Sequence, residues 1–95
     1  MLIDDAILEA SRLLASLRSM RAAQEVVDEA ELALSALEHG NPSHHTLDFV
    51  ADALERIDAN LPHGALAGFV RVRIRNLAGI VTAMQDDTPT PPSAA

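Results

Sequence analysis

Apolar residues recur along the chain in steps of three and four. Ile3, Ile7, Ala10, Leu14 and Leu17 form one series, and Met20, Ala23, Val27, Ala30, Leu34 and Leu37 form a second. Positions spaced in this way share one side of an α-helix. Neither Gly nor Pro interrupts residues 2–39, so nothing chemical stops a helix before Gly40. Asp4 is placed to cap the start, and Asp5 follows in the first turn, where the positive end of the helix dipole favours a carboxylate. The two series meet across a three-residue step, Leu17 to Met20, where the alternation asks for four. Such a step turns the buried stripe onto a new face. A single helix over the whole stretch would be about 50 Å long. The pattern therefore predicts either one long bent helix or two helices broken near Ser16 to Met20, with Ser19 as the new N-cap.

Gly40-Asn41-Pro42-Ser43 is the strongest punctuation in the sequence. Gly40 suits the left-handed position after a helix, Asn41 an N-cap, and Pro42 the first position of the next helix, so a tight helical hairpin is expected here. Leu47, Val50, Leu54, Ile57 and Leu61 form the seam of the second helix, which the run Asn60-Leu61-Pro62-His63-Gly64 ends. The segment Ala65 to Gln85 carries two patterns. Val70-Arg71-Val72-Arg73-Ile74-Arg75 alternates as a half-buried strand would, whereas Leu66, Val70, Ile74, Leu77, Val81 and Met84 share a helical face. No second strand candidate exists to satisfy an isolated strand's backbone, so helix is the better reading. Residues 86–95 are polar and rich in Pro, a composition that cannot build a packed core and predicts a disordered tail.

The expected fold is thus all-α: a small antiparallel bundle of three helices, or four, spanning residues 1–85 as one domain. Its expected core draws on Ile7, Leu14, Leu17, Val27, Leu34, Leu37, Leu47, Val50, Leu54, Ile57, Phe69, Val70, Leu77 and Val81. Composition supports the fold class. Phe49 and Phe69 are the only aromatic residues, too few for a β-sandwich or barrel.

Charge and composition narrow the function. The 95 residues hold 14 Asp and Glu against 7 Arg, a formal net charge of −7, which argues against general nucleic-acid binding. With no Cys there is no disulfide framework, thiol nucleophile or iron–sulfur cluster. The N-terminal Met1-Leu2-Ile3-Asp4-Asp5 is acidic where a secretory signal would be basic, and no apolar run approaches the roughly 18 residues that cross a bilayer. A cytoplasmic protein is expected, or one exported without such a signal.

Candidate chemistry is sparse. His39, His44 and His45 gather at the hairpin turn, but their spacing matches neither a helical His-x-x-x-His face nor a finger, and solvated turn histidines are the simpler reading. His63 falls at the far end of the second helix. No Gly-rich phosphate loop, nucleophile elbow or catalytic carboxylate pair stands out, so no enzyme activity, cofactor or metal is expected. Gly64, Gly68 and Gly79 beside or within a helical segment suggest close backbone approach by a neighbour. Arg71, Arg73 and Arg75 give the last helix a basic character in a segment, Leu61 to Gln85, that contains no acid. Arg71 and Arg75 share a face and Arg73 does not, so the three cannot line one narrow nucleic-acid groove. They are expected to flank the apolar stripe and reach carboxylates such as Asp48, Asp52 or Glu55. Those three acids also form a helical stripe that could imitate DNA charge toward a nucleic-acid-binding protein.

Leu8, Leu13, Val26, Leu32, Phe49, Val72 and Ile80 lie off the main seams and give several helices a second apolar face, as in assemblies. The reading is a non-enzymatic protein that binds another protein or itself, with Leu13, Phe49, Arg71, Arg73 and Arg75 as the partner-binding candidates. The turn Gly40-Asn41-Pro42-Ser43, the following Leu47 and the pattern from Val70-Arg71 through Ile80-Val81 to Met84 also resemble type III secretion needle subunits. Those are helical hairpins turning at a Pro-Ser-x-Pro motif. The resemblance covers roughly residues 24–85 and implies an assembly subunit. Here His45 stands where the motif has its second Pro, and a ten-residue tail follows.

Overall fold

The computed structural model describes residues 2–39, 42–62 and 64–87. The fold is all-α. Four helices, α1 (Leu2–Ser19), α2 (Gln24–Glu38), α3 (His44–Asn60) and α4 (Ala65–Asp87), and no strand, occur among the described residues. The Val70 to Arg75 alternation lies inside α4.

The first apolar stretch is two helices, and the break falls after the expected place. Ser19 is the last residue of α1, not a cap of α2. The chain leaves α1 through Arg21, whose φ of 54° is left-handed. The Ala22 amide donates to the Leu17 carbonyl at 3.0 Å and the Arg21 amide to that of Arg18 at 3.1 Å. These two bonds define a Schellman stop, which usually places Gly where Arg21 stands. Helix α2 then starts from Ala23, whose side chain offers no cap.

At the next turn the cap is Ser43, one of the residues expected inside the helix. Its hydroxyl oxygen accepts from the Thr46 amide at 3.2 Å, so α3 begins at His44 and Pro42 precedes the cap instead of opening the helix. The expected roles of Gly40 and Asn41 lie outside the described residues. At the other end of the chain, α4 continues through Asp86 and Asp87. Those two residues therefore belong to the helix and not to the predicted tail, whose residues 88–95 lie outside the described residues.

Helix α1 packs against α2 and α4, and α3 packs against the same two. Ion pairs and hydrogen bonds fix the register. Glu29 early in α2 meets Arg56 late in α3, Asp58 late in α3 meets Arg71 early in α4, and Asp48 meets Gln85 at the opposite end of the same pair.

One apolar core lies between the helices. Leu17, Leu37, Leu47, Val50, Ile57, Leu77 and Val81 are essentially inaccessible, as are Ala6, Ala10, Ala30, Ala33 and Ala53. The small alanines let the helix axes approach closely while the larger residues fill the layers between them. A helix with two packed neighbours needs a broader apolar stripe than a simple seam. That is why Leu13 and Val26, expected on an outward second face, are buried at 1% and 4% exposure. Leu13 is therefore a core residue, not a surface contact. Ile7 and Leu34, expected in the core, are only partly buried and pack on its edge. Phe69 departs furthest from expectation: it is 75% exposed. It sits in the first turns of α4, beside the place where α1 turns away at Met20, so no helix covers it.

Candidate interaction surfaces

The three arginines of α4 separate into three different environments. The Arg71 Nε donates to Asp58 Oδ1 at 3.0 Å, and its terminal nitrogens donate to the carbonyls of Leu61 and Pro62 at 3.4 Å and of Asp58 at 3.5 Å. Helix α3 has no basic residue in its own last turn. A guanidinium from the next helix supplies the missing positive charge at the negative end of its dipole. Arg73 points the other way, toward α1, where its Nη1 lies 3.9 Å from Glu9 Oε2. Glu9 also accepts from Arg12 at 3.2 Å, so two guanidinium groups share one carboxylate. Arg75 is exposed and makes no ion pair among the described residues. The acids that answer Arg71 and Arg73 are thus Asp58 and Glu9, in place of the expected Asp48, Asp52 or Glu55. The reason is register: Asp58 and Arg71 stand on either side of the turn joining α3 to α4, while Asp48 lies at the distant end beside Gln85.

Two further pairs tie α2 to its neighbours. Arg18 reaches Glu31 at 2.8 Å. Arg56 grips Glu29 with two bonds of 3.1 and 3.0 Å. The hydrogen bonds to Glu29 raise the Arg56 pKa above its ordinary value, and the nearby charges of Glu29 and Asp52 add to this against some desolvation. Spacing alone did not select these partners, because they are set by how the helices lie side by side.

Beyond the core, Leu8, Leu32, Phe49, Phe69 and Val72 remain exposed. Four of the five are off-seam positions expected to face outward, and Phe69 is the addition. Ile80, expected with them, packs partly against the core. Phe69 borders a cavity of about 320 Å³ lined by Ala15, Ser16, Ser19, Met20 and Val70. A larger groove of about 460 Å³ runs between α3 and α4, floored by Leu54 and Ile74 and edged by Glu55, Asp58, Arg71 and Arg75.

The histidines at the turn do not converge. The His39 Nδ1–H donates to the Ser35 carbonyl at 2.6 Å, and His44 Nε2 lies 3.7 Å from Asp48. No group of three or more His, Cys, Asp or Glu among the described residues could hold a metal ion. His63 lies outside the described residues. A Cβ at Gly64, Gly68 or Gly79 would meet nothing within 4 Å, so no other helix of this chain makes the close backbone approach expected at these glycines, and the alternative of approach by another subunit is not tested by a single chain. Gly64 is instead set by its φ of +154°, a region essentially reserved for glycine.

Among the described residues no helix is long and apolar enough to cross a membrane. The segment that carries the needle-subunit resemblance contains Pro42 and Ser43, which lie between α2 and α3, and α3 ends at Asn60 before α4 begins at Ala65. Compared with known families, curated proteins and solved structures, the chain matches no family model, no curated protein and no solved structure.

Proposed function

We propose that this chain is a non-enzymatic helical module, an antiparallel four-helix bundle that acts by associating with protein, first of all with copies of itself. The observation that carries this reading is the set of large apolar side chains left outside a core that is already closed, with Phe69 at 75% and Val72 at 54% exposure on one helix. Single exposed apolar residues are ordinary on any surface. Neighbouring ones framed by charge are the usual mark of a contact site. Self-association would remove them from water at a gain of roughly 25 cal/mol per Å².

The test is substitution at a residue that the fold does not need. Phe69→Ser should lower the mass of the assembled species in sedimentation velocity while leaving the helical circular dichroism unchanged. A Phe69→Ser chain that sediments as the unmutated one does would remove the main support for this reading.

A further inference from the structure

Of the four packed helix pairs, α3 and α4 meet least extensively, and the groove of about 460 Å³ lies between them. Its floor is apolar: the buried Leu54 and Ile74, flanked by the partly buried Ala51 and Ala78. Its two walls are of opposite charge. The acids lining it, Glu55 and Asp58, come from α3, and the bases, Arg71 and Arg75, come from α4. Asp58 and Arg71 neutralise one another at one end, and beyond the other end Asp48 accepts from Gln85. Between these two clasps Glu55 and Arg75 line the same groove, both exposed, and neither makes an ion pair among the described residues. The one arginine of α3, Arg56, is turned to Glu29 of α2. The acids of α4, Asp86 and Asp87, follow beyond Thr82, outside the groove.

These features favour a helix as occupant. The backbone of both walls is committed to its own helical bonding, and the Thr82 hydroxyl donates to the Ala78 carbonyl at 2.9 Å. An extended segment would find few partners there for its amides and carbonyls, whereas a helix brings its own already satisfied. The lining runs from Ala51 to Asp58 on α3 and from Arg71 to Thr82 on α4, about 10 and 16 Å, or about two to three helical turns. Alanines at the rim let a further helix axis come close.

We propose that the α3/α4 groove receives one amphipathic helix of a partner protein. Its apolar stripe lies on Leu54 and Ile74, and its two flanks are of opposite charge, Lys or Arg facing Glu55 and Asp or Glu facing Arg75. A helix with flanks of a single sign would meet like charge along one wall, which selects against it. The groove shares no lining residue with the cavity beside Phe69, so this site goes beyond the self-association proposed above and does not depend on it.

The experiment titrates the full chain into two labelled synthetic helices of about 18 residues, long enough to cover the groove. Both have the same composition and the same Leu stripe. One carries all its Lys on one flank and all its Glu on the other, and the second mixes the two on both flanks. Fluorescence anisotropy should show the segregated peptide binding about tenfold more tightly. Glu55→Lys or Arg75→Glu should each weaken it roughly tenfold, and the double variant should recover most of that loss, because the peptide can dock in the reverse direction. If either change lowers the helical circular dichroism, Glu55→Gln and Arg75→Gln replace them and should each weaken binding by a smaller factor. Phe69→Ser should leave the binding unchanged. Equal affinity for the two peptides, no binding of either, or single variants that bind like the unmutated chain overturns the proposal and leaves self-association through Phe69 standing. Loss of peptide binding in Phe69→Ser would place the peptide on the other surface and overturn it as well. Loss of self-association in Glu55→Lys or Arg75→Glu would put a second copy in the groove in place of a partner helix, which also overturns it.

Discussion

Arg71, early in α4, closes the end of α3 by donating from its Nε to the Asp58 carboxylate at 3.0 Å while its terminal nitrogens reach the carbonyls of Leu61 and Pro62 at 3.4 Å. One side chain thereby binds a neighbouring helix's dipole and an acid of its last turn.

Arg71→Ala is accordingly predicted to cost about 1 kcal/mol, at the upper end for a partly exposed pair, because the carbonyl contacts are lost with the ion pair. Arg71→Lys should recover only part of this, since an ammonium cannot reproduce the fork. Arg75→Ala, four residues on, should stay within about 0.5 kcal/mol. Urea midpoints of the three variants check the order, and equal effects at positions 71 and 75 would contradict it.

The stop after α1 makes a second prediction. Arg21 sits at φ 54°, where an L residue carries roughly 1–2 kcal/mol of strain. Glycine would relieve it at a cost of about 0.5–1 kcal/mol in unfolded-state entropy. Arg21→Gly should therefore stabilise the fold by about 0.5–1 kcal/mol, read as a rise in the thermal midpoint. A fall would mean that the Arg21 side chain makes a contact worth more than the strain.

The same stop shows what was hidden in the sequence. The helical character, the turn near Pro42 and most of the core followed from periodicity and from Gly and Pro. The break between α1 and α2 did not, because the left-handed residue is an arginine and the α2 cap is an alanine. Neither residue type signals a helix end. The pattern registered only a phase slip at Leu17 to Met20. Phe69 was unreadable for a related reason: its position on the helix is next to the buried face, and its exposure depends on where α1 ends. The ion-pair partners were equally inaccessible, since Arg71–Asp58 and Arg56–Glu29 depend on helix register and not on local spacing.

Leu13 separates core from surface. At 1% exposure it is a packing residue, so Leu13→Ala should cost about 2–5 kcal/mol through lost burial and a residual cavity. The loss appears as destabilisation of the whole fold. If Leu13→Ala left the thermal midpoint unchanged and altered only the state of association, its placement in the core would be wrong.

Gly79 lies in the interior of α4 with open space where a Cβ would stand. Gly79→Ala should stabilise the helix by about 0.5–1 kcal/mol, measured by denaturation at a concentration low enough to keep chains apart. A destabilised Gly79→Ala under those conditions would show that something within the chain approaches this backbone after all.

Self-association through the apolar side chains outside the closed core is the function proposed above. Sedimentation equilibrium of the unmutated chain, from low to high micromolar concentration at moderate salt, tests this most directly. The weight-average mass should climb with concentration beyond that of one chain. A mass equal to a single chain across the whole range would contradict the account.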